Sequence, residues 1–333
     1  MRRLPIYLLL DCSESMAGKT LDQMKKGVQI LISDLRRDPA ALEMAYISII
    51  TYGAKAKQIV PLTELCDFKY PEFVLSSGTA LGAALDLLRK CIDHDVVKST
   101  QTIKGDYKPI VFIMTDGEPT DSWTTQAHWL IHNKHLLSVV VGIGEEVNTN
   151  TLLRLSESVV YIKNNNGIES FSQFFRWVSS SISTASQRVG SEDKGIDLRK
   201  LQTDEDMVVV NETTPEHIAV SDKYLFIHAK CRHDGRFYLM KFVKNGRLYD
   251  PVESIPVEKF DISSSNNKLM ISNDQMSGYP PCPYCGDTWW GLCDCGKIFC
   301  QSGTSKDGRY TCPWCHTTNY YSPATFSIGR GAG

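Results

Sequence analysis

The sequence predicts a doubly wound, mostly parallel α/β sheet, followed by a small β-rich segment and a zinc-ribbon-like module. Three observations carry this expectation. Apolar runs at residues 5–10 (PIYLLL) and 110–114 (IVFIM) each end directly in an acidic residue, Asp11 and Asp116. Runs of that kind read as parallel strands buried on both faces. Between and beyond them, helical apolar periodicity alternates with short apolar runs, the signature of βαβ units. Finally, seven of the 11 cysteines fall between Cys282 and Cys315 in a chain of 333 residues.

Taken in order, Leu21, Met24, Val28, Leu31 and Leu35 recur at spacings of three and four and predict an amphipathic helix. Residues 42–52 and 56–62 are extended runs around Gly53, read as a hairpin with an antiparallel edge. Leu81, Leu85, Leu88 and Ile92 mark a helix that Thr79 opens. Residues 136–143 form another central strand and 159–162 a last short one. Asn164-Asn165-Asn166-Gly167 is a turn. Phe171, Phe174, Phe175, Val178 and Ile182 line the inner face of a closing helix. This domain spans 1–188. Residues 189–203 are polar and read as a linker. In 204–275, strand-like runs at 223–231, 236–243 and 247–252 are joined by the turn pairs Asp234-Gly235 and Asn245-Gly246, an antiparallel meander. Asp204, Glu205 and Asp206 read as a solvated charge run. A Cys-rich module occupies 276–320, and 321–333 is a tail.

Open α/β sheets bind ligands at the carboxyl ends of their strands. Asp11, Ser13, Ser15, Thr79 and Asp116 therefore can meet at one end of the sheet. All are hard oxygen donors, suited to Mg²⁺ or Mn²⁺. Helix capping would also use Ser and Asp, but does not explain why both acids directly follow buried strands. The pattern D-x-S-x-S (Asp11-Cys12-Ser13-Glu14-Ser15), a distant Thr79 and the turn Thr115-Asp116-Gly117 resembles the metal-ion-dependent adhesion site of von Willebrand factor A domains. That resemblance implies a Mg²⁺ held by these five side chains, with one coordination position filled by a carboxylate from a protein partner and no chemistry at the metal.

The C-terminal cysteines are spaced as ligands. Cys282-Pro-Tyr-Cys285 and Cys312-Pro-Trp-Cys315 are knuckles that bring two thiolates to one ion, and zinc takes four such ligands in a tetrahedron. With Cys293, Cys295, Cys300 and His316 there are eight candidate ligands, enough for two Zn²⁺. The simplest division places Cys282, Cys285, Cys312 and Cys315 on one ion and Cys293, Cys295, Cys300 and His316 on the other. Spacing leaves the pairing open, and one zinc with spare thiols is an alternative. Trp289, Trp290 and Trp314 pack around this core or form a partner surface. A single A domain followed by such a module is similar to the TerY-type proteins of tellurium-resistance operons. That resemblance implies a scaffold working with a Ser/Thr kinase and a PP2C-type phosphatase in tellurite resistance and stress response.

Composition narrows the field. A net charge of -2 gives no electrostatic case for nucleic acid. No apolar run is long enough to span a membrane, and the apolar stretch behind Arg2 and Arg3 stops at Asp11, short of a signal peptide. The expected location is cytoplasmic. Cys12, Cys66, Cys91 and Cys231 read as small buried hydrophobes. His128, His132 and His135 fall at i, i+4 and i+7 and read as a solvated helix face, with Trp123 and Trp129 packing nearby. Ser179, Ser180, Ser181 and Ser183 are candidate phosphorylation positions. Beside the non-enzymatic scaffold stand two alternatives: an extracellular adhesin, and a Mg²⁺-dependent phosphoryl-transfer enzyme, which would need a phosphate-binding loop that is not found.

Overall fold

The computed structural model describes residues 2–102, 104–144, 147–163, 168–187, 201, 203, 206–210, 223–261, 270–301, 308–320 and 327–329. The turn at Asn164–Gly167, nearly all of the linker, Asp204, Glu205 and most of the tail lie outside them. The chain forms two compact units. The first gathers the described residues up to 210, apart from Ser13–Gly18 and Val74–Gly78, which belong to the second with the residues from 223 onward.

The first unit is built on a seven-stranded sheet in the order β3-β2-β1-β5-β6-β7-β8. Its strands are β1 (Leu4–Asp11), β2 (Ala45–Tyr52), β3 (Ala56–Glu64), β5 (Ile110–Thr115), β6 (Leu137–Ile143), β7 (Val159–Ile162) and β8 (Met207–Val210); β4 (Leu75–Ser76) lies in the second unit. The five inner strands run parallel. Both edges, β3 and β8, are antiparallel. The parallel strands are mostly apolar, as burial on both faces requires: every residue of β1 and of β5 is buried. On one face Tyr7, Leu9, Ile113 and Val140 pack with Leu81, Leu85 and Leu88 of α3 (Leu81–Asp95) and with Ala127 and Leu130 of α4 (Thr124–His132). Elsewhere in this unit α1 (Lys19–Arg37) packs against α6 (Ile168–Gln187) so closely that a Cβ at Gly27 would sit 2.1 Å from the Phe175 ring. The short α5 (Thr149–Leu153) precedes β7.

Three local readings change. Residues 42–44 belong to α2 (Pro39–Met44). Pro39 pre-sets the first helical φ, and the Asp38 carboxylate accepts from Ala40 N at 2.9 Å, so the chain turns once before β2. Helix α4 ends at His132, which leaves His135 past the helix. The strand at 207–210 pairs with β7 in the first sheet.

The second unit centres on a five-stranded sheet, β11-β10-β9-β15-β14. Strands β9 (Tyr224–Lys230), β10 (Phe237–Asn245) and β11 (Leu248–Pro256) form the expected meander. The hairpin β14 (Trp290–Leu292) and β15 (Ile298–Cys300) extends the same sheet, with β15 parallel to β9. Meander and Cys-rich segment thus share one sheet. Two-stranded pairings join β12 (Phe260–Asp261) to β4, β13 (Met270–Ser272) to β18 (Ser327–Gly329), and β16 (Arg309–Thr311) to β17 (Thr318–Tyr320). Leu225, Ile227, Met240, Phe242 and Trp290 make the core, with Tyr279 edge-on to Trp290.

Candidate metal centres

The strand order of the first unit reverses between β1 and β5, and this is the place where an open α/β sheet leaves a crevice at its carboxyl edge. Asp11 ends β1, and Asp116 follows β5 directly. Leu10 is in register with Met114, so Asp11 stands level with Thr115 and Asp116 follows one residue further along the neighbouring strand. Both are buried. The Thr115 hydroxyl donates to Asp11 Oδ2 at 2.8 Å and so orients that carboxylate. Thr79 precedes α3, and the loop after β5 is fastened to it. Thr79 N donates to Thr120 Oγ1, and Thr120 N donates to the Thr79 carbonyl, each at 2.9 Å.

The same loop caps α3. Its N-cap residue, Ala80, has no side chain to offer, and the Asp121 carboxylate instead accepts from Gly82 N and Ala83 N, both at 2.9 Å. In the second unit, the hydroxyls of Ser13 and half-buried Ser15 lie 3.0 Å apart. Glu14 between them is buried, its carboxylate accepting from Gly78 N at 2.6 Å.

The two carboxylates act on their buried neighbours. Burial, then the charge of Asp11, pushes both the Cys12 thiol and the Tyr52 hydroxyl up, with Asp116 adding to each. Two buried carboxylates at adjacent strand ends are costly without a cation between their charges. An oxygen donor set of this kind fits a hard divalent ion.

The sulfur chemistry lies in the second unit. Cys231, Cys282, Cys285 and Cys300 bring their sulfurs within 4.8 Å of one another, and so do Cys293, Cys295, Cys312 and Cys315. This corrects the expected division. Cys300 leaves the Cys293–Cys295 group, Cys231 joins as a ligand candidate that sequence reasoning had assigned to packing, and His316 belongs to neither tetrad. The hairpin explains the first change. Leu292 pairs with Ile298 and Trp290 with Cys300, so the turn at 293–297 and Cys300 stand at opposite ends of β14–β15. The sheet explains the second. Phe299 pairs in parallel with Lys230, so Cys300 and Cys231, each the next residue, lie side by side. Arg232 N then donates to Cys300 Sγ at 3.2 Å.

A repeated turn sets up all four cysteine loops. In each, the amide at the left-handed position donates back to the carbonyl of the first cysteine: Gly286 to Cys282, Gly235 to Cys231 and His316 to Cys312 four residues apart, and Gly296 to Cys293 three apart. His316 (φ 60°) therefore stands where the other turns have glycine. Its ring is in neither of the two four-sulfur groups. The signal for Cys231 was present in the sequence. Cys231-Arg-His-Asp-Gly235 has the Cys-to-Gly spacing of Cys282-Pro-Tyr-Cys285-Gly286, without the second cysteine.

Thiolates at these depths need a cation. Burial pushes the Cys285 and Cys293 thiols up to about 12. Exposed Cys315 goes the other way, down to about 6, through hydrogen bonds from the side chain and backbone of Thr317. Four sulfurs per cluster in a soft donor set fit tetrahedral Zn²⁺. Around them, Trp290 is buried, Trp314 donates Nε1–H to the Ile298 carbonyl at 2.7 Å, and Trp289 is 67% exposed. Of the remaining cysteines, Cys12 and Cys91 are buried and Cys66 is exposed. Ser179 is also buried, donating to the Phe175 carbonyl at 2.9 Å.

Comparison with known proteins is consistent with both halves. The von Willebrand factor type A domain family matches residues 6–175, and the TerY-C metal binding domain matches residues 221–333. Among curated proteins, none matches this sequence. Solved structures that resemble it include a von Willebrand factor type A protein from Catenulispora acidiphila (17% identity, 55% of this chain and 43% of that one, TM-score 0.44). Proximal thread matrix protein 1 from the mussel byssus, in a form with a zinc-occupied MIDAS motif, is 15% identical over 56% of this chain and 46% of that one, TM-score 0.40. The ArnB paralog VWA2 from Sulfolobus acidocaldarius is 11% identical over 99% of this chain and 66% of that one, TM-score 0.40. The chain spans less than half of the first two.

Proposed function

The chain belongs to the von Willebrand factor type A family and carries a TerY-C metal-binding domain, and from that membership we propose that it is a non-enzymatic, metal-dependent scaffold for protein partners. These families are generally adhesion and scaffold domains, and no described helix is long and apolar enough to cross a membrane. The observation that carries the reading is the pair of buried carboxylates, Asp11 and Asp116, at neighbouring strand ends where the sheet order reverses.

In this reading Asp11, Thr79 and Asp116, with Ser13 and Ser15 that follow Asp11 in the chain, hold Mg²⁺ or Mn²⁺. Two protein carboxylates only just balance a divalent charge, and a small ion that keeps some of its waters retains a position a ligand can enter. A carboxylate on the partner fills it. Cys231, Cys282, Cys285 and Cys300 hold one structural Zn²⁺; Cys293, Cys295, Cys312 and Cys315 hold a second. The partners are a Ser/Thr kinase and a PP2C-type phosphatase of a tellurite-resistance or stress-response system in the cytoplasm, as the TerY-type architecture suggests.

The test is calorimetric titration of a Ser/Thr kinase and a PP2C-type phosphatase from the same organism into the purified protein, in Mg²⁺ and in EDTA. Binding should need Mg²⁺ and vanish in Asp11→Ala. Binding that survives both changes, and is lost only when the second unit's zinc is stripped, would place the docking face on the zinc module.

A further inference from the structure

The two cysteine clusters differ in how they meet solvent. In the first, Cys231, Cys282 and Cys300 are 0, 2 and 1% exposed and belong to the main core of the unit, packed with Tyr238, Trp290 and Ile298. Only Cys285 of that set reaches solvent. In the second, Cys293 and Cys312 are buried in a small satellite with Phe299 and Tyr310, while Cys295 and Cys315 are both exposed. Each exposed sulfur has a buried one beside it on the opposite turn: Cys315 Sγ is 3.6 Å from Cys293 Sγ, and Cys295 Sγ is 3.9 Å from Cys312 Sγ. The supports differ too. Cys231 and Cys300 are held by adjacent strands of the five-stranded sheet, whereas Cys312 and Cys315 lie on the turn of the three-residue hairpin β16–β17.

We propose that the Cys293–Cys295–Cys312–Cys315 cluster is a thiol-oxidation site, at which a peroxide forms disulfides and releases one zinc while the Cys231–Cys282–Cys285–Cys300 cluster keeps the other. This rests on the two-zinc reading above. The exposed thiolate of Cys315 or Cys295 attacks one peroxide oxygen, the O–O bond breaks and hydroxide leaves, giving a sulfenic acid. The buried neighbour, Cys293 or Cys312, then attacks that sulfur, forms the S–S bond and expels a second hydroxide. Two thiolates lose two electrons in all, and the peroxide takes them up and leaves as two hydroxides, which the buffer protonates to water. A zinc that has lost two of four donors dissociates. Oxidation follows access, because the oxidant must reach a thiolate before a resolving thiol can act. In the core cluster one sulfur is reachable, Cys285, with buried Cys300 Sγ 3.5 Å away, so oxidation has a single entry there and the remaining sulfurs are shut in the main core. In the satellite cluster two sulfurs are reachable, each beside a different buried one, so oxidation has two entries and can take all four donors.

The experiment uses the full-length protein carrying Cys66→Ser, which removes the exposed thiol outside the clusters. Zinc is first quantified, then hydrogen peroxide is added. Release is followed with a chromogenic chelator, and disulfides are mapped by peptide mass spectrometry. The expected result is one zinc per chain released at least about tenfold faster than the other, with Cys293–Cys315 or Cys295–Cys312 disulfides. Dithiol and added zinc should restore the starting state. Fewer than two zinc ions before any oxidant sinks the two-cluster reading itself. Two ions leaving at one rate, no release at all, or disulfides appearing first within the core cluster, overturns the oxidation site alone.

Discussion

Replacing Cys231 separates a ligand from a packing residue. If this buried thiol only fills space, Cys231→Ala costs about 1 kcal/mol, like an ordinary small truncation, and both zinc ions stay. If it is the fourth donor of the core cluster, the loss is larger and specific. A structural zinc in a small module contributes roughly 10–16 kcal/mol of apparent binding energy, so one thiolate of four accounts for about 3 kcal/mol, or about a hundredfold in zinc affinity. Serine is no rescue. Its hydroxyl is a poor zinc ligand at neutral pH, and at a position 0% exposed it adds a desolvation cost of about 1–3 kcal/mol. The assay is zinc stoichiometry by mass spectrometry after dialysis against a competing chelator. Wild type should keep two ions, and Cys231→Ala and Cys231→Ser one. His316→Gly is the control: it should keep both and gain up to about 1 kcal/mol, because glycine adopts positive φ without the strain an L side chain meets there. Two ions in Cys231→Ala, or one in His316→Gly, would refute the reasoning.

Other expectations concern the first unit. Asp116→Ala should abolish Mg²⁺ binding in calorimetry while circular dichroism stays unchanged, and metal-free stability should hold or rise, since one of two buried like charges is gone. Asp121→Ala should cost about 1 kcal/mol, because α3 loses the acceptor its own Ala80 cannot supply. The same change should weaken Mg²⁺ binding, as it loosens the Thr79 loop from the loop after β5; unchanged affinity would show the clamp to be structural only. Gly27→Val places side-chain atoms where the buried Phe175 ring already lies. The helix-propensity gain over glycine is below about 1 kcal/mol, overpacking costs roughly 1–3 kcal/mol, and the net should be a lower thermal midpoint.

Whatever depends on nearest neighbours along the chain could be read from the residues alone. Apolar runs of six and five residues that end in Asp11 and Asp116 are too short for helices and read as buried strands, so the parallel core, its order of elements and the acids at its edge were legible along the chain. The meander was legible from its Asp-Gly and Asn-Gly turns, and the cysteine knuckles from their spacing. Short signals were less secure. Residues 42–44 look extended by composition, yet Asp38 and Pro39 start a helical turn there, a capping effect stronger than the β-propensity of the run.

Tertiary structure decided which cysteines share a cluster, because that depends on which strands become neighbours. The three-residue β14–β15 hairpin puts Cys293 and Cys300 at opposite ends, and the parallel register of β15 on β9 brings in Cys231 from far away in the chain. The Cys231–Gly235 spacing marks a cysteine turn, but no local spacing says which cluster that turn joins. The clamp on Thr79 has the same origin: Thr120 and Asp121 stand about forty residues downstream of the groups they hold. The physical reason is common to all three. Spacing controls what one turn can reach, whereas sheet register controls which turns arrive together, and register is settled only when the apolar faces of the whole unit are buried at once.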